Sequence, residues 1–255
     1  MTAIEAPAAR VVFDRPALLE ERTTHYCPGC GHGVIHRLVA EVLEELGIGG
    51  RTIAVAAVGC AVFAYDYLHV DFVEAQHGRA PAVATGVRRV RPEAFVLTYQ
   101  GDGDLAAIGT AEIVHAAARG ERITTVFVNN GTYGMTGGQM APTTLLGQRT
   151  TSTPLGRDAR LNGYPLPITE MLALVPGTAY AARGSVATPA LIGKTRAMLR
   201  RACEAQLEDR GFGIVEVLSN CPVGWGMTPV ESIAQLEVVA DTYPVGVLAD
   251  RTREG

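Results

Sequence analysis

The sequence predicts an α/β fold, a mostly parallel sheet with helices on both faces, and three observations support it. Short β-branched runs alternate with longer runs of helical spacing, the pattern of a parallel sheet covered on both faces. Polar, glycine-rich turns follow two of the apolar runs, where open α/β sheets hold their ligands. No repeat, low-complexity stretch or linker breaks the alternation, so residues 1–255 read as a single domain.

The first helix is expected over Gly31–Leu46, with apolar residues at Val34, Ile35, Leu38, Val39, Val42, Leu43 and Leu46, and Gly47 stops it. Thr52–Val58 reads as a buried strand ending in the tight Gly59-Cys60 turn. Pro81–Val90 follows as a helix, Ala94–Tyr99 as a strand, Ile108–Arg119 as a helix and Ile123–Val128 as a strand. From Asn129 to about Pro167 the chain is rich in Gly, Thr and Pro and lacks periodicity; so long a stretch inside a domain marks function. A strand near Thr178–Ala182, a helix near Pro189–Glu208 and a strand at Gly213–Leu218 come next. The loop Asn220–Thr228 and a helix from about Pro229 to Ala240 complete the pattern.

A net charge of −4 supplies no field for nucleic acid or an anionic membrane. No apolar run is long enough to span a bilayer. Met1–Tyr26 carries Glu5, Asp14, Glu20 and Glu21 without an apolar centre, unlike a signal peptide. A cytoplasmic location is therefore expected, with five reduced cysteines rather than a disulfide framework. Lys194 is the only lysine and sits on a helix read as solvated, which argues against Schiff-base chemistry. There is neither a P-loop nor a G-x-G-x-x-G opening a helix.

The strand Ala94–Tyr99 leads into Gly101-Asp102-Gly103-Asp104, then a helix, then a strand ending in Asn129-Asn130. Such a glycine turn lets the backbone approach a pyrophosphate, and the helix start offers N–H groups to it. Asp102 would repel phosphate unless it held a divalent cation, with Asn130 and the Thr132 carbonyl as further oxygen ligands; Mg²⁺ takes such a set. Cys27 and Cys30 precede the first helix, and Cys60 and Cys221 follow strands, so four thiols can meet on one sheet edge. Zinc and an iron–sulfur cluster both use C-x-x-C; single, distant third and fourth cysteines favour the cluster. Cys203, within a helix, reads as a core residue.

Gly101 to Asn130 resembles the thiamine diphosphate signature, a GDG followed some 25 residues on by NN. The wider set resembles the β subunits of 2-oxoacid:ferredoxin oxidoreductases. It comprises Cys27-Pro-Gly-Cys-Gly-His-Gly33, Val58-Gly-Cys60, His77-Gly-Arg-Ala80, Ala84-Thr-Gly86, Gly101-Asp-Gly-Asp104 and Ile108-Gly109. Asn129-Asn130, Tyr133-Gly-Met-Thr-Gly-Gly-Gln139, Pro142-Thr-Thr144 and Ser219-Asn-Cys-Pro222 continue it. The resemblance implies a thiamine-diphosphate-binding fold holding thiamine diphosphate and Mg²⁺ (Asp102, Asn130, Thr132). It implies a four-iron, four-sulfur cluster on Cys27, Cys30, Cys60 and Cys221. His77, Gly78 and Arg79 are then expected beside the cofactor, His77 and Arg79 as catalytic candidates. Gly59, Cys60, Gly101, Gly103, Asp104, Tyr133 and Thr136 are expected to bind it.

The implied reaction is oxidative decarboxylation of a 2-oxoacid to acyl-CoA and CO₂, with electrons passing through the cluster to ferredoxin. The implied partners are an α subunit with a pyrimidine-binding domain, a γ subunit and a ferredoxin-like δ subunit. The Met135–Gln139 and Cys221–Trp225 segments lean toward 2-oxoglutarate or branched-chain members. A thiamine-dependent lyase and a zinc-binding interaction module are the competing classes. His32 and His36 are expected as a cap and a surface histidine, and Trp225 as packing over the cluster loop. His25, His69 and His115 receive no role.

Overall fold

A computed structural model of the chain describes residues 14–252. The part of Met1–Tyr26 before residue 14, with Glu5, lies outside the described residues. Among those described, no helix is long and apolar enough to cross a membrane.

Strands β1 (Thr52–Ala56), β2 (Asp71–Glu74), β3 (Phe95–Gly101) and β4 (Thr124–Asn129) come first. A hairpin of β5 (Thr132–Tyr133) and β6 (Gln139–Met140) precedes β7 (Thr178–Ser185), β8 (Phe212–Leu218) and β9 (Gly246–Asp250). Seven strands form one sheet in the order β2-β1-β3-β4-β8-β7-β9. All pairings are parallel except that of β9 with β7.

The helices are α1 (His32–Glu45), α2 (Ala80–Val90), α3 (Thr110–Ala118), α4 (Ala159–Asn162) and α5 (Ile168–Ala173), then α6 (Pro189–Leu207), α7 (Pro222–Trp225) and α8 (Pro229–Thr242). Their apolar stripes divide into two cores. Ile35 and Leu38 of α1, Leu199 of α6 and Leu236 of α8 join Leu97, Val126 and Val217 of the sheet. Ala84 of α2, Ile113 of α3 and Leu172 of α5 join Val96, Phe127 and Ile214, the strand neighbours that point to the other face. Burial on both faces explains why the central strands are apolar runs rather than alternating ones.

The register positions the site. Ala56 lies beside Tyr99, Gly101 beside Val128 and Asn129 beside Leu218. The adjacent strands β1, β3, β4 and β8 therefore end near one level. The Gly59-Cys60 turn, the GDG segment, the NN pair and the Cys221 loop all leave from that edge.

Several details differ from the sequence expectation. β2 is a short, largely exposed edge strand and β9 a partly exposed one, so neither carries a buried apolar run. A π-helical turn over Asp104–Ile108 precedes α3. The segment after Asn129 contains the β5–β6 hairpin and α4, and the Asn220–Thr228 loop contains α7. Gly31, not His32, is the N-cap of α1, and His36 is not on the surface: His32 and His36 are 2% and 1% exposed. Both rings pack with Tyr26 and Tyr99, and hydrogen bonds to those tyrosines let polar rings stay in the interior. Cys203 is in the core, as expected.

Candidate functional site

Asp102, at the end of β3, is 3% exposed. Its carboxylate accepts hydrogen bonds from the Gly103 N–H at 2.8 Å and the Thr143 hydroxyl at 2.9 Å. Burial pushes its pKa up from 3.8 to about 6, against hydrogen bonds from Thr143, Gly103 and the Gly131 and Asn130 backbone. Among the described residues no cationic side chain pairs with it, so a divalent cation would relieve a buried charge. Asn130 and Thr132 line the same cavity of about 170 Å³. The donors at this end are oxygens, a chemistry that fits Mg²⁺.

Asp104 ties two segments together. One carboxylate oxygen accepts from the Gly78 N–H at 2.6 Å and lies 2.9 Å from His77 Nδ1; the other accepts from Gln100 Nε2 at 2.6 Å. Burial raises its pKa while these contacts pull it back. Gly78 has φ +78°, and a Cβ there would come within 2.7 Å of Ile108, so backbone and packing both require glycine. Gly103 has an ordinary helical φ of −65°, but a Cβ on it would lie 2.1 Å from the Tyr133 ring. Its role is to seat Tyr133.

Of the expected cofactor-site residues, Gly59, Cys60, His77, Gly101, Gly103, Asp104, Tyr133 and Thr136 line the cavity with Asp102, Asn130 and Thr132. Gly78 and Arg79 do not; Arg79 pairs instead with Glu112 of α3.

Two of the four candidate cysteines, Cys60 and Cys221, flank a common glycine. A Cβ on Gly134 would lie 3.3 Å from Cys221 Sγ and 3.5 Å from Cys60 Sγ, and one on Gly224 would lie 2.8 Å from Cys221 Sγ. Burial pushes Cys30, Cys60 and Cys221 up to about 11. Neighbouring thiols add to this: Cys60 and Cys27 act on Cys30, Cys221 and Cys27 on Cys60, and Cys30 and Cys27 on Cys221. Asp102 adds to the shift of Cys60 and Cys221, so the thiols adjoin the carboxylate end. Among the described residues no three His, Cys, Asp or Glu side chains could hold one metal ion. A four-iron cluster is a larger body that binds each thiolate through a different iron, and its positive irons would favour the thiolates that burial disfavours.

Two supporting residues, Thr143 and Asn220, carried no assigned role in the sequence, and a third, Trp225, was expected only to pack over the cluster loop. Thr143 holds Asp102. Asn220 Nδ2 donates to the Gly29 carbonyl and to Ser232 Oγ, both at 2.8 Å, joining the Cys27–Cys30 turn to the Cys221 loop. Trp225 Nε1 donates to the Asn130 carbonyl at 2.8 Å, which links the Cys221 loop to the NN pair. All three lie in or beside the recognisable motifs, the one signal that pointed to them.

Residues 47–217 match the family model described as thiamine pyrophosphate enzyme, C-terminal TPP binding domain. The chain is 46% identical over 244 residues to ketoisovalerate oxidoreductase subunit VorA of Methanothermobacter thermautotrophicus, covering 95% of this chain and 51% of that one. It is 36% identical over 209 residues to 2-oxoglutarate synthase subunit KorB of Methanocaldococcus jannaschii, covering 81% and 73%. It also matches a solved 2-oxoglutarate:ferredoxin oxidoreductase from Magnetococcus marinus with 2-oxoglutarate, coenzyme A and succinyl-CoA bound. That match has a TM-score of 0.76 and 26% identity, covering 97% of this chain and 88% of the other. The chain spans about half the length of the VorA relatives. With the expected thiamine-diphosphate-binding fold present, the chain belongs to the thiamine pyrophosphate enzymes, in the family of 2-oxoacid:ferredoxin oxidoreductase subunits.

Proposed function

We propose that this chain is the β subunit of a coenzyme-A-dependent 2-oxoacid:ferredoxin oxidoreductase, acting in the cytoplasm on a 2-oxoacid and independent of nucleic acid and membrane. The observation that carries this reading is a buried Asp102 that shares one cavity with Asn130, Thr132 and Cys60, with Cys221 close by Cys60 across Gly134. Asp102, Asn130 and the Thr132 carbonyl would hold Mg²⁺, and through it the diphosphate of thiamine diphosphate. Cys27, Cys30, Cys60 and Cys221 would hold a four-iron, four-sulfur cluster beside it. The thiamine supplies carbanion stabilisation and the cluster supplies a one-electron acceptor. Tyr133 would wall the cofactor, and His77, oriented by Asp104, would present its free ring edge to the reacting end. Arg79 enters as a catalytic candidate only if it leaves Glu112.

Residues 1–255 act as one diphosphate-binding domain, with an α subunit supplying the pyrimidine side and γ and ferredoxin-like δ subunits carrying electrons to ferredoxin. A lyase without redox function has no use for four thiols against the metal end, and a zinc module has no use for the GDG–NN frame. The greater identity to VorA, named for ketoisovalerate, than to KorB supports a branched-chain 2-oxoacid. No lysine or arginine lines the cavity, which also fits a substrate with an uncharged side chain.

The test is reduction of a viologen dye by the assembled complex with coenzyme A and either ketoisovalerate or 2-oxoglutarate. Faster reduction with ketoisovalerate is expected. CO₂ release without dye reduction would support the lyase, and no turnover of either acid would overturn the reading.

A further inference from the structure

His32, the first residue of α1, is 2% exposed and lines the cavity, yet the proposed chemistry does not use it. Its Nδ1 lies 2.7 Å from the hydroxyl of Tyr99, which is fully buried and has no other hydrogen-bond partner among the described residues. Were Tyr99 the acceptor, its own proton would be left without a partner in the core, a costly arrangement. Tyr99 therefore donates to Nδ1, and the ring carries its proton on Nε2. Tyr26 stacks on that ring, 4.6 Å between centroids and 10° between planes, and fixes its orientation. His32 lines the cavity and Tyr99, which holds Nδ1, does not, so the far edge with Nε2–H is the one left to face it. That donor has no partner among the described residues.

The charge of the cavity gives this donor a use. Asp102 and Asp104 line it, and no lysine or arginine does. Any 2-oxoacid is an anion, and on this chain it must be met by neutral donors. The cavity has two imidazoles, and Nδ1 of the other, His77, is engaged by Asp104.

We propose that His32 is a substrate-binding residue, a fixed neutral Nε2–H donor to the carboxylate of the 2-oxoacid. The assignment rests on the functional reading above. Turnover by the wild-type complex tests that reading; the ratio of variant to wild type tests His32.

The experiment measures 2-oxoacid kinetics in the assembled complex, thiamine diphosphate affinity by calorimetry, and iron content. A lost hydrogen bond to a charged group predicts that His32→Leu raises KM by about 10- to 100-fold while kcat falls far less. Cofactor affinity and iron content should stay at wild-type levels. His32→Gln, whose amide N–H can reach the same point, should restore KM to within about threefold of wild type. Should His32→Leu fail to fold, the glutamine variant and Tyr99→Phe remain. The phenylalanine variant frees the tautomer and should raise KM by about two- to threefold, because the Nε2–H form is no longer enforced. An unchanged KM in His32→Leu would overturn the proposal. Lost cofactor affinity would move the donor to the diphosphate, and lost iron would make the ring a support of the cysteine turn; either result also overturns it.

Discussion

As the proposed metal ligand, Asp102 would set the conditions for cofactor binding through its own ionisation. Burial raises its pKa from 3.8 to about 6, so the fold favours the protonated form. Stability from this group is fully present below the unfolded pKa and is lost as pH rises through the folded one. For a shift of this size the loss amounts to ~3 kcal/mol by pH 7. The metal-free chain should therefore melt at a higher temperature at pH 5 than at pH 7, and Asp102→Asn should narrow that gap. Mg²⁺ with thiamine diphosphate should close it in the wild type by stabilising the carboxylate, whereas Asp102→Ala should lose cofactor binding in calorimetry and keep its fold. Near-normal cofactor affinity in the alanine variant would refute the metal role. Asp102 was legible because its GDG turn opens a strand–helix–strand frame that ends in the Asn129-Asn130 pair. Its holder Thr143, 41 positions away, and the partner of His32, 67 positions away, are common residue types whose roles arise only from the fold.

The long helices and central strands were readable from sequence because their burial on one or both faces writes a period into the chain, whereas α4, α5 and α7 are too short to show one. β2 and β9 were not readable either, since edge strands gain backbone pairing with little apolar burial. The same distinction governs the cysteine loops. Their convergence follows from β1 and β8 flanking β3 and β4, an order that sequence adjacency does not reveal. What it did reveal was the ends of the strands, and so the common edge. Two glycines keep this space clear, and they give a test at the scale of the loop. A Cβ on Gly224 would press on Cys221 Sγ at 2.8 Å and on Thr132 Cγ2 at 2.9 Å. Gly224→Ala should cost about 1–3 kcal/mol of stability, as overpacking does, and should lower iron content in anaerobically purified protein. Serine at Cys27, Cys30, Cys60 or Cys221 should lower iron from about four per chain, the complement of a Cys₄-held cluster. Cys203→Ser should leave it unchanged, because Cys203 lies in the core on the buried face of α6. Iron loss from Cys203→Ser, or zinc in place of iron, would sink the ligand assignment.

At the scale of the whole molecule, the proposed reading makes the cavity one side of a thiamine site. Thiamine enzymes hold the cofactor between two α/β domains: one grips the metal–diphosphate, and the other sets a glutamate against the aminopyrimidine to drive the proton shifts that activate it. The residues proposed for the first role, Asp102, Asn130 and Thr132, line the cavity, but no glutamate does. Glu74, the acid nearest a family motif, sits exposed at the end of β2 and does not line it either. The main sheet is a single seven-stranded unit whose two faces are already covered by helices, so apart from the two-stranded β5–β6 hairpin the described residues contain no second sheet to serve the pyrimidine side. Apolar side chains stand free on the long segment that leaves the same edge, with Leu155 97%, Leu161 85% and Tyr164 74% exposed. An exposed apolar group of this kind is what a partner subunit would cover. The purified chain, given thiamine diphosphate, Mg²⁺ and coenzyme A, should therefore bind cofactor weakly and show no 2-oxoacid-dependent dye reduction. Adding an α subunit with a pyrimidine domain should bring turnover, and Leu155→Glu with Leu161→Glu should weaken that association. Substantial turnover by this chain alone would mean that the glutamate is supplied from within it, and the half-site argument would fall.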